Sequence, residues 1–336
     1  MPTKAATIGY IIFVILAIIL YLNWQAMAPK IREPNLQLFR IEKGEGIQEI
    51  GHKLKEAKLI KNDKLFQILV ILLNARKKIW PGDYYLSPNM DLIDIIKVLT
   101  SQKGPEEKEI TIIEGWSAKE IAEYLDKEGL VKKLDFLNEV QEGLKKYKAD
   151  YGFLQDLPSN ATLEGFLFPD TYRVYKNTTP EAIIRKMLEN FDQKITPEMR
   201  LEIKKQNRTL FQVIILASLV EKEAADEVER RLIADIFWRR LDNRWPLESC
   251  ASVNYILGTA KRQLSFEETR ISSPYNTYIN RGLPPGPINN PSLSAIKAVI
   301  YPLKNDYWYF LATKESKTIF SKTLEEHNKN KKIYFK

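Results

Sequence analysis

The sequence predicts an α+β body carried behind an N-terminal membrane-spanning helix. Three observations lead there. An uncharged apolar run opens the chain, a strand-turn-helix unit occurs twice within the first 131 residues, and long helical patterns then alternate with short aromatic strand patterns to the C-terminus.

Between Lys4 and Lys30 no residue is charged, and "TIGYIIFVILAIILYLNWQ" has about the 20 residues a helix needs to cross a bilayer. Tyr21 and Trp24 sit where an interfacial aromatic anchor belongs, just before the chain turns polar at "APKIREPN". A cleaved signal peptide competes with this reading, because Ala26 and Ala28 imitate a small-residue cleavage site. Pro29 after the cut and the length of the run speak against it. No cysteine follows the run, so a lipoprotein is excluded. The simplest topology makes residues 1–29 a cytoplasmic stub and span, with the whole body exported.

Composition narrows the chemistry. The 336 residues suffice for two soluble modules, and 51 basic against 43 acidic residues give a net charge of +8, which suits an anionic membrane surface or an acidic polymer. One cysteine, Cys250, cannot form an internal disulfide. With only two histidines, His52 and His327, a Zn site of His and Cys and a Ser-His-Asp triad both lack material. No metal or cofactor is expected. Nucleic acid is a poor partner for a chain without a P-loop or helix-turn-helix signature.

The internal repeat pairs "IEKGEGIQEIGHKLKEAKLI" from Ile41 with "IIEGWSAKEIAEYLDKEGLV" from Ile112. Ile41 matches Ile112, Gly44 matches Gly115, Glu49 matches Glu120, Ile50 matches Ile121, Leu54 matches Leu125 and Leu59 matches Leu130. Each copy reads as a short strand, a glycine turn and an amphipathic helix. A helix over 63–74, a strand in "WPGDYYLSP" and a helix over 91–100 follow the first copy. Residues 37–103 thus resemble a LysM-like glycan-binding module, with a plain spacer as the alternative. "SQKGPEEKE" reads as a linker, and residues 104–160 as the second repeat and a connector.

From residue 161 the character changes. "LEGFLFPDTYRVY" is read as a strand with Phe166 and Phe168 on one face and Leu163, Gly165 and Leu167 on the other, broken by Pro169 and Asp170. A charged helical stretch over 180–208 and an apolar helix over 210–225 come next. An amphipathic helix through "EVERRLIADIFWRRL" follows, then a turn and helix start in "RWPLESCASVNYILG". "SSPYNTYINRGLPPGPINNPS" holds five prolines and two glycines in 21 residues and is read as an extended loop. A helix in "PSLSAIKAVIYP" and a hairpin of "YWYFLAT" with "TIFSKT" end the body.

The apolar helix ends abruptly in "ASLVEKEA". Glu221 projects from the face that also carries Ile214, Ala217, Ser218, Ala224 and Ala225, a notch of mostly small residues. Glu223 lies about 200° further round, so the two carboxylates are not expected to share one cleft. With apolar Leu219 and Val220 beside it and no arginine on its own face, Glu221 is expected to lose solvation, which favours its neutral form. That is what a general acid for a glycosidic oxygen requires. The plain alternative makes "EKEAADEVERR" a solvated helical face with Asp226–Arg230 and Glu227–Arg231 pairs.

Taken in order, "LEGFLFPDTY", "ASLVEKEA" and "SPYNTYINRGLPPGPI", after an apolar run and a strand-helix module, resemble the endolytic murein transglycosylase (YceG-like) family, and the resemblance runs from about Gln37 to the C-terminus. The resemblance implies a catalytic domain over 161–336. It also implies a lyase that cuts peptidoglycan between N-acetylmuramic acid and N-acetylglucosamine, leaves a 1,6-anhydro end and terminates nascent strands. The catalytic glutamate of the family falls on Glu221. A single acid suffices if the muramic C6 hydroxyl closes onto C1: Glu221 protonates the leaving oxygen and then accepts the C6 hydroxyl proton.

The resemblance and residue chemistry together nominate Glu164, Asp170, Tyr172, Ser218, Tyr275, Asn276, Thr277 and Tyr278 as the substrate-binding shell. Glu164 is read either as a second functional acid or as an arginine's partner, and Asp170 either as a sugar contact or as a turn cap. Phe166 and Phe168 are read as core. The resemblance implies an aspartate where this chain has Cys250; if that aspartate assists catalysis, either Glu248 or Ser249 compensates or activity is altered. Cys250 itself is read as a buried small hydrophobe and His327 as structural. Expected partners are glycan strands, the membrane and the peptidoglycan synthases. A non-catalytic wall-binding scaffold and a water-using muramidase are the rival functions.

Overall fold

A computed structural model describes residues 36–42, 44–101, 107–176, 178–313 and 317–334. The expected membrane span lies outside these, and among the described residues no helix is long and apolar enough to cross a membrane. The architecture is mixed α+β, and the chain divides into two compact units, Met1–Glu107 and Lys108–Lys336.

In the first unit β1 (Gln37–Ile41) and β2 (Gly82–Leu86) pair antiparallel, with Phe39 opposite Tyr84 and Ile41 opposite Gly82. Alternation along β1 buries Phe39 and Ile41. They meet Ile50 and Leu54 from α1 (Ile47–Glu56), Phe66 and Val70 from α2 (Asp63–Leu72), and Ile95 and Leu99 from α3 (Leu92–Thr100). Asn62 starts α2 by accepting from the Lys64 and Leu65 amides, which leaves Leu65, Phe66 and Val70 facing the core. The opposite face of α2 is apolar as well, with Ile68, Ile71 and Leu72 in solvent.

The second unit opens with the second copy of the repeat, β3 (Glu107–Thr111) and α4 (Ala118–Lys127). Ser117 and Glu120 form a reciprocal capping box at the start of α4. Helices α5 (Lys133–Glu142) and α6 (Leu144–Lys148) follow, and β3 pairs with β4 (Thr171–Tyr175). One hydrophobic core runs from Ile110 to Ile300, so residues 108–160 pack together with the later elements.

The expected strand over 163–168 is not a strand; β4 begins only after Pro169 and Asp170. Leu163, Phe166, Leu167 and Phe168 are all buried, so the apparent two-faced alternation does not describe them. The segment turns instead, because the Asn290 side chain accepts from the Gly165 and Leu167 amides at 2.8 and 2.9 Å. Phe166 and Phe168 belong to the core, where Phe166 packs edge-on against Phe191.

The stretch over 180–208 is two helices, α7 (Pro180–Lys194) and α8 (Pro197–Lys205). Thr196 caps the second, with Pro197 in its first turn. Helix α9 (Leu210–Glu223) starts at a Thr209–Gln212 capping box, and its residues Val213 to Val220 are all buried. A helix apolar all round must be covered on every side. Here α8, α10 (Glu227–Asp242), α11 (Cys250–Leu257) and α12 (Leu293–Ile300) pack on it. The core ends at Val220, so Glu221 is where α9 leaves it. Strands β5 (Tyr309–Ala312) and β6 (Thr318–Ser321) form the expected hairpin, which a last helix, α13 (Leu324–Tyr334), follows.

Candidate active site

The last turn of α9, the start of α4, the 164–165 turn, α11 and the proline-rich loop line one cleft of about 1800 Å³ in the second unit. That is larger than the roughly 300–1,000 Å³ of a small-molecule site and suits an extended polymer. Glu164, Glu221 and Glu223 all line it. The expectation that Glu221 and Glu223 cannot share a cleft therefore fails. Glu223 is the last helical residue, and Ala224 beyond it is extended, so a cleft that wraps a helix end meets both faces.

Glu221 is also not free of arginine. Arg230 from α10 donates to its Oε1 at 2.8 Å, and both side chains are largely buried. Ser292, the N-cap of α12, donates to Oε2 from its amide at 2.8 Å and from its hydroxyl at 2.6 Å. The helix N-terminus and the guanidinium together fix both oxygens of the Glu221 carboxyl. The Asp226–Arg230 pair of the solvated-face alternative does not form, because Asp226 caps α10 while Arg230 turns inward and also binds the Ala224 carbonyl.

Glu164 has no arginine partner among the described residues. The Ala118 amide at the start of α4 donates to it at 3.0 Å and the Asn290 amide at 2.8 Å. Burial pushes its carboxyl up to about 7, against these two donors, which favour the anion. Glu223 is also raised by burial, opposed by the Ser249 hydroxyl that donates to it and by Arg240. Sequence reasoning missed Asn290 and Ser292. Asn290 joins three segments: it holds the 164–167 turn, donates to Glu164, and exchanges backbone bonds with Gly115 and Trp116. The signal was present in "INNPS", since polar side chains in a loop that must cross a core are there to satisfy backbone groups.

Of the expected binding shell, the structure brings Glu164, Tyr275 and Tyr278 to the cleft with Glu221. Tyr275 packs against Tyr255, an unforeseen second aromatic in the lining, with ring centroids 5.1 Å apart. The other expected residues lie off the cleft. Ser218 is fully buried and joins the Ile215 carbonyl to the Ile288 amide. Asn276 donates to the carbonyls of Thr269 and Ile271 and accepts from Tyr278, which fixes its own loop. Thr277 accepts from the Ser249 amide. Tyr172 donates to the Phe168 carbonyl. Asp170 caps Thr171, and Asn190 and then Lys194 hold its carboxyl below the usual range.

The Cys250 thiol lies 3.0 Å from the Tyr278 hydroxyl on the cleft wall, half-buried, and burial raises its pKa. Ser249 is engaged with Glu223, while Glu248 extends near Arg240. His327 stacks on Tyr309, and burial lowers it to about 4.

The YceG-like family model matches residues 39–333. The endolytic murein transglycosylase of Bacillus subtilis strain 168 is 34% identical over 304 residues, covering 88% of this chain and 83% of that one. The endolytic murein transglycosylase of Streptococcus pneumoniae D39 is 34% identical over 317 residues. That alignment covers 86% of this chain but only 57% of the pneumococcal protein. A crystal structure of a yceG-like protein from Listeria monocytogenes aligns with a TM-score of 0.60 and 34% identity, covering 89% of this chain and 100% of that one. Family model, relatives and solved structure agree: the chain belongs to the YceG-like family.

Proposed function

We infer that the chain is an endolytic murein transglycosylase, a lytic enzyme that cuts peptidoglycan glycan strands. One observation carries the reading: a glutamate at the family's motif position, held in a single orientation by Arg230 and Ser292, opens onto a cleft wide enough for a polymer. The cut falls between N-acetylmuramic acid and N-acetylglucosamine. Glu221 protonates the leaving glycosidic oxygen as the C1–O bond breaks, then takes the C6 hydroxyl proton as O6 bonds to C1, which closes a 1,6-anhydro ring without water. Tyr275 and Tyr255 offer a stacking face for sugar. Glu221→Gln keeps the shape and removes the proton; strand cleavage falls by about a thousandfold or more, read as anhydro ends released from purified glycan. Parental rates would sink the assignment, and reducing ends in place of anhydro ends would make the protein a hydrolase.

A specific observation favours a second reading of the proton donor. Glu164 shares the cleft, and burial keeps it protonated to about pH 7, whereas Glu221 already has a guanidinium partner. Paired carboxylates in such different surroundings divide acid and base work. In this reading Glu164 protonates the leaving oxygen and Glu221 accepts the C6 proton. The rate then falls as pH rises through about 7, and Glu164→Gln abolishes both the rate and that limb. If Glu164→Gln keeps most activity, Glu221 performs both steps.

The apolar run over 4–30 anchors the protein in the cell membrane with its N-terminus cytoplasmic. Residues 37–103 form a LysM-like module, residues 104–160 a second repeat and connector, and residues 161–336 the catalytic domain. Tethering restricts cutting to strands emerging beside the synthases, which ends their elongation.

A further inference from the structure

The first unit carries a surface that the transglycosylase reading does not use. On α2, Ile68, Ile71 and Leu72 recur at three- and four-residue steps along the face turned away from the core, and Ile71 and Leu72 are 65% and 73% exposed. Leu73 and Trp80 are also exposed, and between them Arg76, Lys77 and Lys78 form a short 3-10 turn in solvent. None of these three basic residues has an ion-pair partner among the described residues. From Lys64 to Trp80 there is no acidic residue. The Tyr84 hydroxyl holds the Trp80 carbonyl at 2.5 Å, which ties the end of this segment to β2.

Aliphatic side chains, a tryptophan and unpaired cations within 13 successive residues are the chemistry of a membrane interface: apolar groups enter the acyl boundary, the indole sits at headgroup level and the cations meet phosphates. A soluble partner would leave the basic triplet unexplained unless it were itself acidic.

Chain geometry supplies the occupant. The apolar run ends at Lys30, and the 11 residues from there to Ile41, the strand partner of Gly82, reach at most about 40 Å. An anchor at that distance raises the effective concentration of bilayer to the millimolar range, so a weak patch suffices.

We propose that the 68–80 segment docks the first unit onto the anionic phospholipid surface of the membrane that anchors the chain. The inference rests on the anchoring reading for its local concentration and on the patch for its chemistry. The first unit then lies against the bilayer, rather than swinging at the end of a linker.

The test uses the full chain in vesicles of phosphatidylglycerol and phosphatidylcholine whose acyl chains carry bromine, a short-range quencher of indole. Trp24 at the end of the span is quenched in every variant, so emission lost in the parent beyond that lost in Trp80→Phe reports Trp80 at the boundary. The expected result is a Trp80-dependent loss, parent minus Trp80→Phe, that appears in anionic vesicles, is absent in pure phosphatidylcholine, and disappears at about 1 M salt, where the Debye length is about 3 Å. Triple reversal Arg76→Glu, Lys77→Glu, Lys78→Glu abolishes it, an affinity loss of about a hundredfold for three residues at the surface.

Identical quenching of parent and Trp80→Phe overturns the proposal. So does burial of Trp80 that tracks protein density in the vesicle instead of lipid charge, which makes a second copy the occupant. Carbonate extraction separates the two readings. A chain that is extracted has no anchor, and the patch then stands only if the chain binds anionic vesicles at low salt through the basic triplet. A retained chain with Trp80 unquenched keeps the anchor and loses the patch.

Discussion

The two copies of the repeat fold alike and are used differently. In each, a strand leads through a positive-φ glycine, Gly44 or Gly115, to an N-cap, Gly46 or Ser117, and then a ten-residue helix. The first copy ends there: a Cβ built on Gly44 meets nothing within 4 Å, and α1 has no side-chain cap. In the second, a Cβ on Gly115 comes 3.1 Å from Glu221 Cγ, and the first amide of α4 holds Glu164. Local sequence thus set the shape of both, while the neighbours that later elements bring decide which becomes a wall of the site.

The largest expected contrast is in pH dependence. Glu164 has a folded pKa of about 7 against an ordinary value of 4.5, so the folded form binds its proton more tightly. Stability is then fully present below about pH 4.5 and is lost as pH rises to about 7, by roughly 3 kcal/mol. Backbone hydrogen exchange across pH 5 to 8 should show α4 losing protection while α1 stays level, and Glu164→Gln should flatten α4. An α1 that falls in parallel breaks the comparison.

Next come the paired glycines. Alanine at a positive φ costs about 1–2 kcal/mol, so Gly44→Ala and Gly115→Ala each weaken their own helix, read by the same exchange. Only Gly115→Ala crowds Glu221, and it should lower the cleavage rate about tenfold with KM little changed. Equal activity in the two variants would mean that the second copy does not position the glutamate. The smallest effects are at the caps. Ser117→Ala costs α4 about 1 kcal/mol. Gly46→Ser, with Glu49 already at the third helical position, gives α1 the box it lacks and a few tenths of a kcal/mol in return.

Much of the fold was legible because it is local. Periodicity and glycine turns located both repeat helices and the apolar helix to within a few residues, while the helices at 133–142, 144–148 and 324–334 went unread. Errors arose where distant residues overrule local pattern. Residues 163–168 alternate like a strand, yet a side chain 125 residues away from Gly165 turns them. Glu221 reads as arginine-free along its own helix face, but Arg230 reaches it from the next helix. Ser218, Asn276 and Thr277 have the right chemistry for sugar, and the fold spends them on backbone groups of its own loops instead. Glu164, Tyr275 and Tyr278 reach the cleft because each lies where a segment surfaces from the core.

Asn290 has a further consequence, which concerns timing. Its bonds to Trp116 and Glu164 close loops of 174 and 126 residues, and Ser292 meets Glu221 across 71. Such long closures come late in any ordering of contacts. A chain made from its N-terminus therefore emerges with all three glutamates before the loop that arranges them exists. Until the final sixth of the polypeptide has been synthesised, a nascent molecule has the groups for cutting but not the clamp that aims them.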